Sequence, residues 1–147
     1  MAYITNADIQ ERLGNAAYVQ LADDDGDGIA DVGVVNEARL GANGEVDSYL
    51  AMRYLLPIDL AIHTDTADVL ASFTLDLAEY RLRSRRPPVP DEAVKRHARA
   101  IAWLQAVSKG TIELPSATGV VPASSRGPIA EVSGEDRILS HDEMSDF

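Results

Sequence analysis

The sequence predicts a mainly α protein: a small four-helix bundle, residues 1–110, followed by an extended C-terminal tail, residues 111–147. Two observations carry this expectation. Apolar residues recur at helical spacing over four stretches that are punctuated by glycine or proline, and the pattern stops at Thr111. A chain of 147 residues fits one domain, or one domain plus a tail. A domain of this size buries roughly two-thirds of the surface its unfolded chain exposes, so it builds a core without staples. Cysteine is absent, which leaves no disulfide and no thiolate metal site.

The first helix begins at Thr5, where "TNAD" offers a capping threonine and an acid three residues later. Ile9 and Leu13 share its face and Gly14 stops it. "YVQL", Tyr18 to Leu21, is a short apolar lead into an aspartate-rich loop. A second helix starts near Asp31 or Gly33 and runs to about Tyr54, with Val35, Ala38, Ala42, Val46, Tyr49 and Leu50 at helical spacing. "GANG", Gly41 to Gly44, lies inside it, and the helix is expected to continue through both glycines although each costs ~1 kcal/mol relative to alanine. Pro57 then ends the helix and opens a connection.

The third helix spans about Asp65 to Arg85, roughly 30 Å at ~1.5 Å per residue. Leu70, Phe73, Leu77 and Tyr80 form its stripe, with Val69 beside them. Its end, "RLRSRRPPVP", puts cations at the negative end of the helix dipole and then prolines that forbid continuation. The fourth helix starts at Pro90 or Asp91 and closes at Gly110, with Val94, Ala98, Ile101 and Leu104 on one face. The stretch beyond it is rich in Ser, Pro, Gly and Ala and has no sustained period. Its apolar spots, Val120, Val121, Ile129, Ile138 and Leu139, are spaced like anchors for another surface; an end without function is the plainer reading.

Charge is unevenly spread. The net charge is −11, yet residues 81–110 carry 8 bases against 2 acids, while residues 1–80 carry 15 acids against 3 bases. The acidic balance argues against wrapping nucleic acid, which needs lysine and arginine against phosphate. Unlike segments can attract one another between copies of the chain; a solvated basic helix face is the plainer reading. No apolar run approaches the ~20 residues of a membrane helix. The start, "MAYITNADIQERLG", lacks the pattern of a secretory signal, so synthesis in the cytoplasm and no membrane partner are expected.

The loop "DDDGDGIAD", Asp23 to Asp31, packs five aspartates into nine residues. Alternating oxygen ligands suit a hard divalent ion, since a tight turn points successive side chains at one centre. Asp23, Asp25 and Asp27 supply carboxylates, Gly28 permits the turn, Ile29 offers its carbonyl, and Asp31 binds directly or through a water. The twelfth position is Val34 where a helix–loop–helix calcium site needs glutamate. The candidate cofactor is therefore a structural Ca2+ in a DxDxDGxxD-type loop. A solvated turn, with Asp31 capping the following helix, is the metal-free alternative.

Catalytic signatures are missing: there is no Gly-rich phosphate loop, no HExxH and no GxSxG. His63, His97 and His141 have no nucleophile at suggestive spacing, and His97 beside Val94 and Ile101 reads as a core-edge residue. Trp103 reads as core or interface. No enzymatic activity is expected.

The order of "QLADDDGDGIAD", "EVDSYLAMRYLLP", "LDLAEYRL" and "AIAWLQAVSKGTIEL" resembles the Mu-like phage and prophage family of small head–tail connector proteins, over about residues 3–114. "GANG" departs from the alanine-rich run usual at that place. The resemblance implies a helical bundle of head–tail adaptor type that forms a ring, a dodecamer, beneath the portal protein. That ring extends the channel through which phage DNA passes without specific binding, and offers a surface to the next tail-side neck component. The implied location is the neck of the virion. An acidic channel wall would repel phosphate rather than grip it. In such a ring Arg81, Arg83, Arg85 and Arg86 are the expected contact residues to a neighbouring copy or the portal, with the tail anchors docking in the assembly. A calcium-binding helical protein-interaction module is the alternative function.

Overall fold

The structure, a computed structural model, describes residues 2–115. Five helices, not four, make up this part: α1 (Asn6–Leu13), α2 (Asn15–Ala22), α3 (Val32–Leu50), α4 (Thr64–Ser84) and α5 (Asp91–Ser108). There is no strand among the described residues. The additional helix is α2, which turns the "YVQL" lead into the core of a two-turn helix. Gly14, at φ +77°, separates it from α1; its N–H closes α1 on the Gln10 carbonyl at 2.9 Å, and its carbonyl accepts the Tyr18 N–H at 3.0 Å. One glycine thus ends one helix and opens the next, because it reaches a backbone geometry that other residues pay to adopt.

The start of α1 is set by a reciprocal cap: the Thr5 hydroxyl accepts the Asp8 N–H, and the Asp8 carboxylate accepts the Thr5 N–H at 2.6 Å. Continuity of α3 through Gly41 and Gly44 is as expected, and the helix ends at Leu50, four residues before the expected Tyr54, in a turn where the Arg53 and Tyr54 N–H groups both reach the Leu50 carbonyl. At Gly41 the reason for glycine is close approach: a β-carbon there would lie 2.8 Å from the Arg81 guanidinium.

α3 and α4 each pack against every other helix, while α5 packs against those two alone. The core is Val35, Ala38, Ala42, Val46 and Leu50 from α3, Leu70, Leu77, Ala78 and Leu82 from α4, and Ala100, Leu104 and Val107 from α5, closed by Ile4, Ile9 and Ala22. The expected α5 face needs correction. Ala93, Ala100, Leu104 and Val107 are buried, Ile101 is half-buried, and Val94 and Ala98 face outward. On α4 the stripe residues Phe73 and Tyr80 are half-buried and meet α5 through rings: Phe73 stacks on Trp103 at 4.5 Å and Tyr80 on His97 at 4.0 Å.

The packed body runs past Gly110. Leu114 is buried, its N–H donates to the Tyr54 hydroxyl at 3.2 Å, and Arg53 pairs with Glu113 at 3.0 Å. The expected anchors Val120, Val121, Ile129, Ile138 and Leu139 lie outside the described residues. None of the described helices is long and apolar enough to cross a membrane.

Candidate functional site

Two charged constellations dominate the described surface. The first is the aspartate loop between α2 and α3. It is held by its own amides. The Asp23 carboxylate accepts the Gly26 N–H at 2.6 Å and the Gly28 N–H at 2.9 Å, both glycines lying near φ +80°. Asp25 accepts from the Asp27 N–H at 3.1 Å, and Asp27 from the Ile29 N–H at 2.7 Å. These are side-chain-to-backbone turns of the kind aspartate forms readily. The two amide bonds to Asp23, from Gly26 first and then Gly28, hold its carboxyl below the usual carboxylate range. Asp25 sits above that range: the Asp27 N–H bond pulls it down, but repulsion from the Asp27 and Asp31 carboxylates together with desolvation outweighs it.

The carboxylates of Asp23, Asp25 and Asp27 lie within 4.8 Å of one another, close enough to share one hard cation. Asp31 stands apart from that trio. It occupies the N-cap position of α3, yet its carboxylate accepts the Asp24 N–H at 2.9 Å rather than capping the helix, so it closes the base of the loop. The Ile29 side chain is exposed and its N–H is engaged by Asp27.

The cations expected at an interface are engaged inside the chain. Arg85 donates to the Leu21 carbonyl at 3.1 Å and to Asp24 at 2.6 Å. Arg86 donates to the Asp23 carbonyl and to Asp24 at 3.2 Å. Together they clamp the loop against the C-terminal end of α4, and Arg85, followed by Arg86, holds the Asp24 carboxyl below its ordinary range. Arg81 pairs across to Glu45 on α3 at 2.8 Å, and Arg83 with Glu79 one turn back on α4 at 2.8 Å.

The second constellation was not singled out in the sequence. Asp76 and Glu79, each less than 5 % exposed, lie on α4 beneath arginines from three helices. Arg12 of α1 meets Asp76 at 2.6 Å and Glu79 at 3.5 Å. Arg96 of α5 meets Glu79 at 3.0 Å, Arg83 joins from α4, and Arg99 reaches to 4.0 Å from Asp76. Burial raises the Asp76 carboxyl above the usual range even though Arg12, Arg96 and Arg99 pull it down. One signal was available: at i and i+3, these acids interrupt the apolar run "LDLAEYRL" on a helix whose partner carries "RHAR".

Between α3, α4 and α5 an open cleft of about 410 Å³ is lined by Val34, Glu37, Tyr80, Ser84 and His97. Arg81 and Arg85 edge it, already committed to Glu45 and Asp24.

Among the described residues the body is all helical, and its surface carries ion-pair clusters and an open cleft. The particular family follows from comparison with known families: the chain matches the family described as Bacteriophage Mu, Gp36, over residues 3–132, and belongs to it. It is therefore a Mu-like phage protein. The match runs beyond Leu114, so Val120, Val121 and Ile129 fall within the family's span. No curated protein matches the sequence.

Proposed function

We propose that this chain is a structural, non-enzymatic head–tail connector of a tailed phage. It assembles from the host cytoplasm into a dodecameric ring at the virion neck, beneath the portal protein and above the next tail-side component. Phage DNA passes through the ring without being gripped. The observation that carries this reading is membership of the Mu Gp36 family over most of the chain. The helical body and the net charge of −11, unfavourable for holding phosphate, support it. Electron cryo-microscopy of purified virions tests it: a ring of this chain between head and tail is expected, and virions whose necks lack the polypeptide would overturn the reading.

The proximity of Asp23, Asp25 and Asp27 favours a second proposal, that the loop takes a structural Ca2+, with the Ile29 carbonyl and Asp31 completing the set. Calorimetry with chelator-treated protein checks it. Heat that saturates at millimolar calcium or below is expected, and heat identical to a buffer blank would end the idea. If calcium also remodelled the isolated chain and opened a groove, a calcium-responsive binding module would become the better description.

A further inference from the structure

We infer that the arginine cluster over Asp76 and Glu79 is the receiving face of the contact between copies, and that it takes the Asp25 and Asp27 carboxylates of a second copy whose loop holds no Ca2+. The inference rests on the ring reading above. Four guanidinium groups, from Arg12, Arg83, Arg96 and Arg99, stand over two carboxylates, which leaves two positive charges uncompensated within the cluster. Arg99 is the free edge of this cluster. Its side chain is 70 % exposed and stops 4.0 Å from Asp76, beyond hydrogen-bond distance.

On the giving side, Asp24 is spent on Arg85 and Arg86, and both Asp23 oxygens are spent on glycine amides. Asp25 and Asp27 each accept one amide through Oδ1. No cation among the described residues pairs with either. Arg81, Arg85 and Arg86 are poor candidates for the receiving face because Glu45, Asp24 and main-chain carbonyls already hold them.

Position completes the case. At ~100° per residue, Asp76, Glu79 and Arg83 fall on one side of α4, and Arg81 and Arg85 on the opposite side. The loop is held by Arg85 and Arg86, and among the described residues no ion pair joins Asp25 or Asp27 to the arginine cluster, so the two are separate patches of one chain. A contact joining two different patches repeats from copy to copy and closes into a ring when its rotation divides the circle.

The test uses the full chain at low salt with a calcium chelator present, so that the loop carboxylates are free. Arg99→Glu should weaken self-association by about tenfold, and so should Asp25→Lys with Asp27→Lys; combining the two sets should restore most of it. Circular dichroism checks each fold, and Arg99→Ala replaces the reversal if that variant unfolds. The chain has no cysteine, so Asp25→Cys and Arg99→Cys can be placed together and joined by a short bismaleimide. A ladder of covalent multimers is expected from the double variant, and no more than dimers from either single one. A chain that associates without a ladder, or a reversal without effect, overturns this pairing and leaves the ring standing. A wild-type chain that stays monomeric at high concentration counts against the ring and takes this inference with it.

Discussion

Glu79 accepts from Arg83 and Arg96 through one oxygen and faces Arg12 with the other, so three helices depend on a single carboxylate. Neutralising this buried carboxylate leaves Arg12, Arg83 and Arg96, each only partly solvated, with one acid fewer to pair with. Glu79→Gln should therefore cost about 3 kcal/mol in urea unfolding. Glu45→Gln, which releases the more exposed Arg81, should cost less than about 1 kcal/mol. The loop has its own pH signature. The Asp24 carboxyl titrates below its ordinary value in the folded chain, so its contribution is present above the unfolded value of about 3.9 and is lost as pH falls through the lower folded one. Carboxyl NMR should show Asp24 returning toward the ordinary value in an Arg85→Ala, Arg86→Ala chain. Asp76 has the opposite sign, since its raised value means the folded state takes up that proton first and stability falls as pH rises through it.

Among the helices, α3 shows how one residue type serves different ends. Gly41 lies under Arg81, whereas a β-carbon at Gly44 would meet nothing within 4 Å. Gly44→Ala should stabilise the protein by about 0.5–1 kcal/mol, which a thermal melt would read as a higher midpoint. Gly28→Ala should do the reverse by about 1 kcal/mol, because φ +82° strains any other residue even where space is open. The buried face of α5 is not legible in the sequence. The helix carries alanine at 93, 98, 100, 102 and 106, and small residues of equal hydropathy do not mark which side faces the core. The choice falls to Leu104 and Val107, and to Arg96, which the acids of α4 draw inward.

For the whole molecule, the balance of charge should govern encounter with polyanions. With −11 overall and the basic segment largely engaged with its own acids, the chain should show no retention of duplex DNA in filter binding at ~0.15 M salt, where such contacts are already screened. Retention under those conditions would contradict a channel that lets DNA slide.

The helical class, the capped start of α1, the unbroken α3 and the proline stop after α4 were legible in the sequence, because each depends on local rules: periodicity, capping and the forbidden geometry of proline. The aspartate trio was legible as well, since alternate side chains of a tight turn converge whatever the rest of the chain does. The destinations of the arginines were not. A guanidinium on a long flexible stem takes whichever carboxylate the packing brings within reach, and that is set by helices dozens of residues apart. So Arg85 and Arg86 turned back to clamp the loop, Arg83 joined Arg12 and Arg96 over two buried acids, and "YVQL" became part of a helix beyond the break at Gly14. Only tertiary packing made those choices, because they are decided by distance in space and not by spacing along the chain.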